Sequence, residues 1–242
     1  MAILQTKENF MSIISKYVQN YLKWKYKEIK CNLFDCYATK SYSQEGEDLI
    51  LKRFFEGKKN GFYVDVGAHH PKRFSNTYLF YQMGWRGINI DPNHDAIKLF
   101  KKNRPRDINL ECGISDLEGK KQYYIFDEPA LNSFSKEYAD MIQITTNNHV
   151  KDIRLVDVHR LSAVLAANMP DDTIIEFMSI DAEGYDINVL RSNDWSKYRP
   201  QLLIVEELEY SFERSSIYKY LAELGYDFFA KAVNSVFYKK NN

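Results

Sequence analysis

Two carboxylates two residues apart, Asp181 and Glu183, and a turn reading Asp65-Val66-Gly67-Ala68-His69-His70-Pro71 are the parts of this sequence best suited to chemistry. Carboxylates and imidazoles move protons when burial or a neighbour tunes them. A glycine lets something approach a backbone where a Cβ would collide. Asp91 stands 26 residues after Asp65, and a carboxylate at the end of a second strand can accept both hydrogen bonds of a ribose diol. What is missing narrows the choice. The turn at Gly67 is not a GxGxxG, and no GxxxxGK[ST] phosphate loop and no CxxC occurs. A ligand with a nucleoside but no pyrophosphate fits such a turn better than a dinucleotide. No His/Cys spacing demands a metal. An oxygen-only site for a divalent metal, with Asp181 as its first ligand, leaves weak sequence traces and stays open.

The elements that must position these residues alternate. Residues 43–55 read as a helix capped by Ser43, 61–66 as a strand, 76–83 as a helix ended by Gly84, and 86–91 as a strand. A helix at 94–102 and a strand at 108–115 follow, with 120–126 as an edge strand after the Glu118-Gly119 turn. Residues 127–154 read as an irregular insert with one short helix, which is either a substrate loop or plain surface. Residues 155–167 suit a helix, or a short strand leading into one; 173–181 is a strand, 184–191 a helix, 200–208 a strand and 213–224 a helix. A hairpin through Asn234 closes the chain. Alternation of this kind predicts an α/β fold, with a mostly parallel sheet, helices on both faces and one antiparallel strand from the hairpin. Ligands of such sheets bind at the carboxyl ends of the strands. There the sequence puts Asp65, Gly67 and Ala68; Asp91; Gly113, Ser115 and Asp116; Asp181 and Glu183; and Glu206 with Glu207.

Each candidate also has a plain structural use. Asp181 can cap a helix, Glu183 can decorate a helix dipole, Asp91 can make a turn before Pro92, and the histidines can sit in turns. His159 suits core or surface, and Cys112 suits packing. The clustering of acids at one sheet edge favours a site at Asp181 and Asp91.

The whole chain has 242 residues, with 33 Lys and Arg balanced by 33 Asp and Glu. Neutrality argues against nucleic acid held by phosphate contacts. Three cysteines without a CxxC suggest free thiols and a reducing compartment. With no signal-peptide pattern and no long apolar run, the expectation is a cytoplasmic protein. Residues 1–40 form an N-terminal extension to a domain over 41–242. Residues 8–30 of that extension repeat Phe10, Ile13, Ile14, Tyr17, Val18, Tyr21 and Trp24 at helical steps. Seven Lys against Glu8, Glu28 and Asp35 make residues 1–40 basic. The stripe suits either a membrane surface or anionic carrier, or packing against the domain or a second subunit. Packing is the commoner use of such a stripe and is the first reading here.

The quoted segments SQEGED (43–48), VDVGAHHP (64–71), SNT (75–77), GWRGINIDPN (84–93), ISDLEG (114–119) and SIDAEGYDINVL (179–190) together resemble the FkbM family of S-adenosylmethionine-dependent methyltransferases, of the class I, Rossmann-like fold. The likeness covers roughly 41–208, and the SNT and GW elements suit one branch of that family. It implies methyl transfer from S-adenosylmethionine to an oxygen, commonly a hydroxyl of a sugar, glycan or related small molecule. It places Asp65, Gly67 and Ala68 along the methionine part, Asp91 on the ribose, and Gly113, Ser115 and Asp116 beside the adenine, with His69 either on the cofactor or among the candidate bases. Gln44, Ser75 and Asn76, with Ser43, are polar groups for the methionine carboxylate or amine. Asp181, Glu183 and His70 are then the candidates for taking the acceptor's proton. Two other readings stay open: an NAD-dependent oxidoreductase on a similar fold, and a non-catalytic protein docking through residues 8–30.

Overall fold

The computed structural model describes residues 2–207 and 215–241, with side chains from residue 14 onward. The side chains of Phe10 and Ile13, and the start of the helix expected at 213–224, lie outside the described residues. The chain forms two compact units, 1–40 and 41–242, each described by itself.

The first unit is one long helix, α1 (Ala2–Phe34), followed by a turn. Ile14, Tyr17, Val18, Tyr21 and Trp24 are exposed on it. Cys31 and Cys36 are joined by a disulfide, which corrects the expectation of three free thiols. The helix ends at Phe34 and Asp35 turns into the left-handed region, so the chain doubles back and brings the two Cα atoms to 4.5 Å. Only Cys112 is free, and the cysteine argument for a reducing compartment falls with the pairing. No described helix is long and apolar enough to cross a membrane.

The second unit is built on a seven-stranded sheet. Its strands are β1 (Phe62–Val66), β2 (Arg86–Asp91), β3 (Ile108–Glu111), β7 (Phe177–Ile180), β8 (Leu202–Glu206), β9 (Tyr226–Ala232) and β10 (Ser235–Lys240). They lie in the order β3-β2-β1-β7-β8-β10-β9. All neighbours from β3 to β8 pair in parallel, and the hairpin strand β10 runs antiparallel between β8 and β9. The period-two alternation explains why both faces are covered. Phe62, Val64 and Val66 of β1 pack with α6 (Leu161–Asn168), α7 (Asp186–Arg191) and α8 (Ser216–Glu223). Tyr63, between them, faces α2 (Glu47–Phe54), α3 (Tyr78–Gln82) and Trp85. On β2's side, α4 (His94–Asn103) is capped by Asn93, whose side chain accepts the backbone N–H of Asp95 and Ala96.

Several expected elements differ. The strand expected at 108–115 is broken at Cys112. Its second part, β4 (Gly113–Ile114), leaves the large sheet and pairs with β6 (Val150–His159). The segment expected as an edge strand, β5 (Gly119–Phe126), pairs with the other side of β6 in a separate three-stranded sheet. The ten-residue β6 supplies a partner that the reading of 127–154 as irregular left out. That insert also holds a 3₁₀ turn, Pro129–Leu131, and α5 (Lys136–Thr145). The 173–181 strand is shorter, because only Phe177–Ile180 find partners on both sides. Ser43 does not cap α2; Gly46 does, in the left-handed region, while the Ser43 hydroxyl reaches one turn further to accept the Asp48 N–H.

Candidate active site

The chain runs outward one way through β1, β2 and β3 and the other way through β7 and β8, so β1 and β7 flank the switch in strand order. A cleft opens at their carboxyl ends. Gly67, Asp91 and Asp181 follow or end strands β1, β2 and β7 and line it, together with Gln44, His69 and Glu183.

Gly67 has a φ of +78°, and a Cβ added there would lie 1.6 Å from the carbonyl oxygen of Asp181. The group that passes so close to this glycine is therefore the neighbouring loop's own backbone. The Asp181 N–H in turn donates to the Val66 carbonyl at 3.0 Å, so the two loops at the switch point are locked together. The N–H groups of Gly67 and Ala68 donate to the Ile90 carbonyl, which folds the β1 turn over the end of β2. Ala68 points away from the cleft, into a cluster with Ile97 and Phe100 of α4.

Asp91 is buried, and its two oxygens accept one backbone N–H each, from His69 at 2.9 Å and Asn93 at 2.7 Å. A carboxylate offers about four acceptor sites, so each oxygen keeps one in hand toward the cleft. Burial pushes Asp91 up to about 6, against the pull of the two N–H bonds. His69 holds a left-handed backbone at φ +50° and stacks on Phe74. Its Nε2 is buried without a partner, and burial lowers its pKa, followed by the repulsion of Arg73. Ile90, Pro92, Cys112, Ile114 and Tyr123 give the side of the cleft next to Asp91 an apolar wall.

The ends of β7 and β8 are acidic. Oxygens of Asp181, Glu183 and Glu206 all lie within 4.8 Å of one another. Glu183 sits in a left-handed turn and receives a short hydrogen bond from the Tyr138 hydroxyl of α5. Burial pushes Glu183 up to about 7, and burial with repulsion from Glu183 pushes Glu206 up to about 8. Asp181 is raised by desolvation and by Glu206, Glu183 and Asp186. Its side chain is reached by solvent through the cleft, so the crowding of like charges is the firmer of the two causes. Groups this close titrate as a set, and Glu183 and Glu206 are the two whose values fall near neutrality. They also match the oxygen set that a divalent cation accepts.

The remaining expected residues lie off the cleft. Asp65 is buried and accepts a 2.7 Å hydrogen bond from the Thr77 hydroxyl. The Ser75 hydroxyl accepts the Tyr78 N–H at the start of α3, and Asn76 donates to the Ser179 hydroxyl. His70 Nδ1 accepts the N–H groups of Lys72 and Arg73. A Cβ at Gly113 would meet the Phe134 ring at 2.5 Å, so this glycine makes room for the insert. Ser115 is buried against the Tyr185 hydroxyl, and the Asp116 carbonyl accepts a bond from Arg160. His159 pairs with Glu118 on the outside of β6.

The insert, read from sequence as either a substrate loop or plain surface, contributes lining residues that the sequence reading did not single out. Pro129, Ala130, Asn132 and Phe134 line the cleft with Tyr123 of β5. Ser133 ties that segment to the acidic loop by donating to the Glu183 carbonyl at 2.6 Å. The visible signal was the aromatic density of 123–134, which reads equally well as core. Glu206 was visible at a strand end, yet nothing in sequence puts it beside Asp181.

Set against known families, residues 65–228, about two thirds of the chain, match the family model described as the methyltransferase FkbM domain. No curated protein matches the chain.

Proposed function

Because the chain belongs to the FkbM methyltransferase family and is thus a methyltransferase, we propose that it moves a methyl group from S-adenosylmethionine to a hydroxyl oxygen of a sugar, glycan or related small molecule. The observation that supports this most is that one cleft is lined both by Asp91 with apolar neighbours and by Asp181 and Glu183, whose carboxylates cluster with that of Glu206. The residues suit the cofactor. Asp91 keeps acceptor sites for a ribose diol, the wall of Ile90, Ile114 and Tyr123 suits a flat base, and the orphaned Nε2 of His69 waits for a polar partner.

When bound, S-adenosylmethionine supplies an electrophilic sulfonium methyl, so the chain's task is alignment and proton removal. The acidic cluster takes the acceptor's hydroxyl proton. Values of about 7 and 8 at Glu183 and Glu206 put a proton acceptor close to working pH, where general bases are most effective. Tyr138 holds the Glu183 carboxylate in place. The insert residues Asn132 and Phe134 border the same cleft, with the Phe134 ring against Tyr123 of the apolar wall.

Isotope-labelled S-adenosylmethionine incubated with a panel of sugars and small alcohols tests this reading. Label is expected in an alkali-stable methyl ether, and Glu183→Gln is expected to lower turnover by about a hundredfold or more. Label found only in carboxyl esters or methylamines would overturn it. The spacing of the three carboxylates favours one variant of the mechanism, in which a divalent cation held there lowers the hydroxyl pKa. Turnover that survives a chelator assigns the proton to the carboxylates. Turnover that is lost and returns with Mg²⁺ assigns that role to the cation.

A further inference from the structure

The long helix α1 plays no part in the chemistry above, and its two sides differ. At about 100° per residue, Ile14, Tyr17, Val18, Tyr21 and Trp24 fall on one side, and all five are exposed. Lys16, Lys23, Lys27 and Lys30 fall within about 60° of one another on the other side. Lys25 is the lysine that lies among the apolar residues, and it is neutralised in place. It pairs with Glu28 at 2.9 Å and stands over the Trp24 ring.

We propose that α1 lies on an anionic lipid surface, with its tyrosine and tryptophan side chains in the headgroup boundary and its lysine stripe drawn to the anionic headgroups. The charge pattern selects this occupant. Between residues 14 and 30 the helix carries Glu28 as its only acid against five lysines. A second copy would meet the same lysines and bring over this stretch only Glu28, which already pairs with its own Lys25. A helix with Trp and Tyr on one side and Lys on the other suits a membrane interface, where both sides gain at once. Nor is α1 long and apolar enough to cross the bilayer, so it rests on the surface. The inference is independent of the methyl-transfer reading.

The test is flotation of the full chain with vesicles of phosphatidylcholine alone and of phosphatidylcholine with phosphatidylserine. Binding is expected to the mixed vesicles only, weakened by salt, with a blue shift in the fluorescence lost in Trp24→Phe. Replacing Lys16, Lys23, Lys27 and Lys30 by Gln is expected to weaken binding by roughly a hundredfold or more. Trp24→Glu should weaken it as well. Both variants change exposed side chains, and an unchanged melting temperature verifies the fold. Absence of binding to mixed vesicles overturns the proposal, as does binding that neither variant weakens. Self-association lost in Trp24→Glu, without vesicle binding, overturns it in favour of a second copy.

Discussion

At Asp91 two backbone N–H groups occupy one acceptor site on each oxygen, and the carboxylate is held rigid before any ligand arrives. Its turn-making use and its proposed ribose contact therefore coexist in one side chain. Asp91→Ala is expected to weaken binding of S-adenosylhomocysteine by about 10- to 100-fold, as loss of charge-assisted hydrogen bonds does. Unchanged affinity in calorimetry would remove Asp91 from the ribose. Gly67→Ala should fail more broadly, because the colliding atom is the Asp181 backbone and cannot swing aside. It is expected to lower the melting temperature and cofactor affinity together. At this scale the sequence was legible where a residue type has few uses. A glycine at the end of a strand announces a close approach, though not what approaches. Asp65 was not legible, because a carboxylate inside a strand looks the same whether it meets a ligand or, as here, Thr77.

Among the elements, the large sheet follows from alternation and apolar runs, and β1, β2 and the closing hairpin stand where their patterns put them. The small sheet was hidden because β6 is mostly exposed and its apolar residues, Val150, Ile153, Leu155, Val156 and Val158, do not alternate cleanly with its charged ones. A second device was also invisible. Arg104, fully buried, donates to Asp107, Thr77 and the Tyr63 hydroxyl, and Asp107 further accepts the Gly87 N–H and the Asn89 amide. This network ties the end of α4 to β1 and β2, and through Thr77 it reaches Asp65. Removing one partner of a buried ion pair leaves the other charge uncompensated, so Asp107→Ala is expected to cost about 3–5 kcal/mol in urea unfolding. A loss within a few tenths of a kcal/mol would mean the pair is dispensable.

For the molecule as a whole, the acidic cleft sets a pH dependence of stability. Glu183 and Glu206 have folded values of about 7 and 8, above those of an unfolded glutamate. Between the ordinary glutamate range and about 8 the folded chain thus holds more protons on these two side chains than the unfolded one does, with the lowered His69 and His70 working the other way over the lower part of that window. Its stability falls as pH rises through that window. The melting temperature is expected to drop from mildly acid to mildly alkaline pH, and Glu206→Gln is expected to flatten the slope. A melting temperature that rises over this range would contradict the raised values of Glu183 and Glu206. The central claim concerns the cleft, which sits where sheet topology puts ligand sites and is lined by Asp91 and by Asp181 and Glu183 of the acidic cluster. Calorimetric titration of the purified chain with S-adenosylhomocysteine, and with NADH as control, tests it most directly. The account predicts micromolar binding of the thioether with one site per chain and none of NADH. Binding of NADH without binding of the thioether would contradict it.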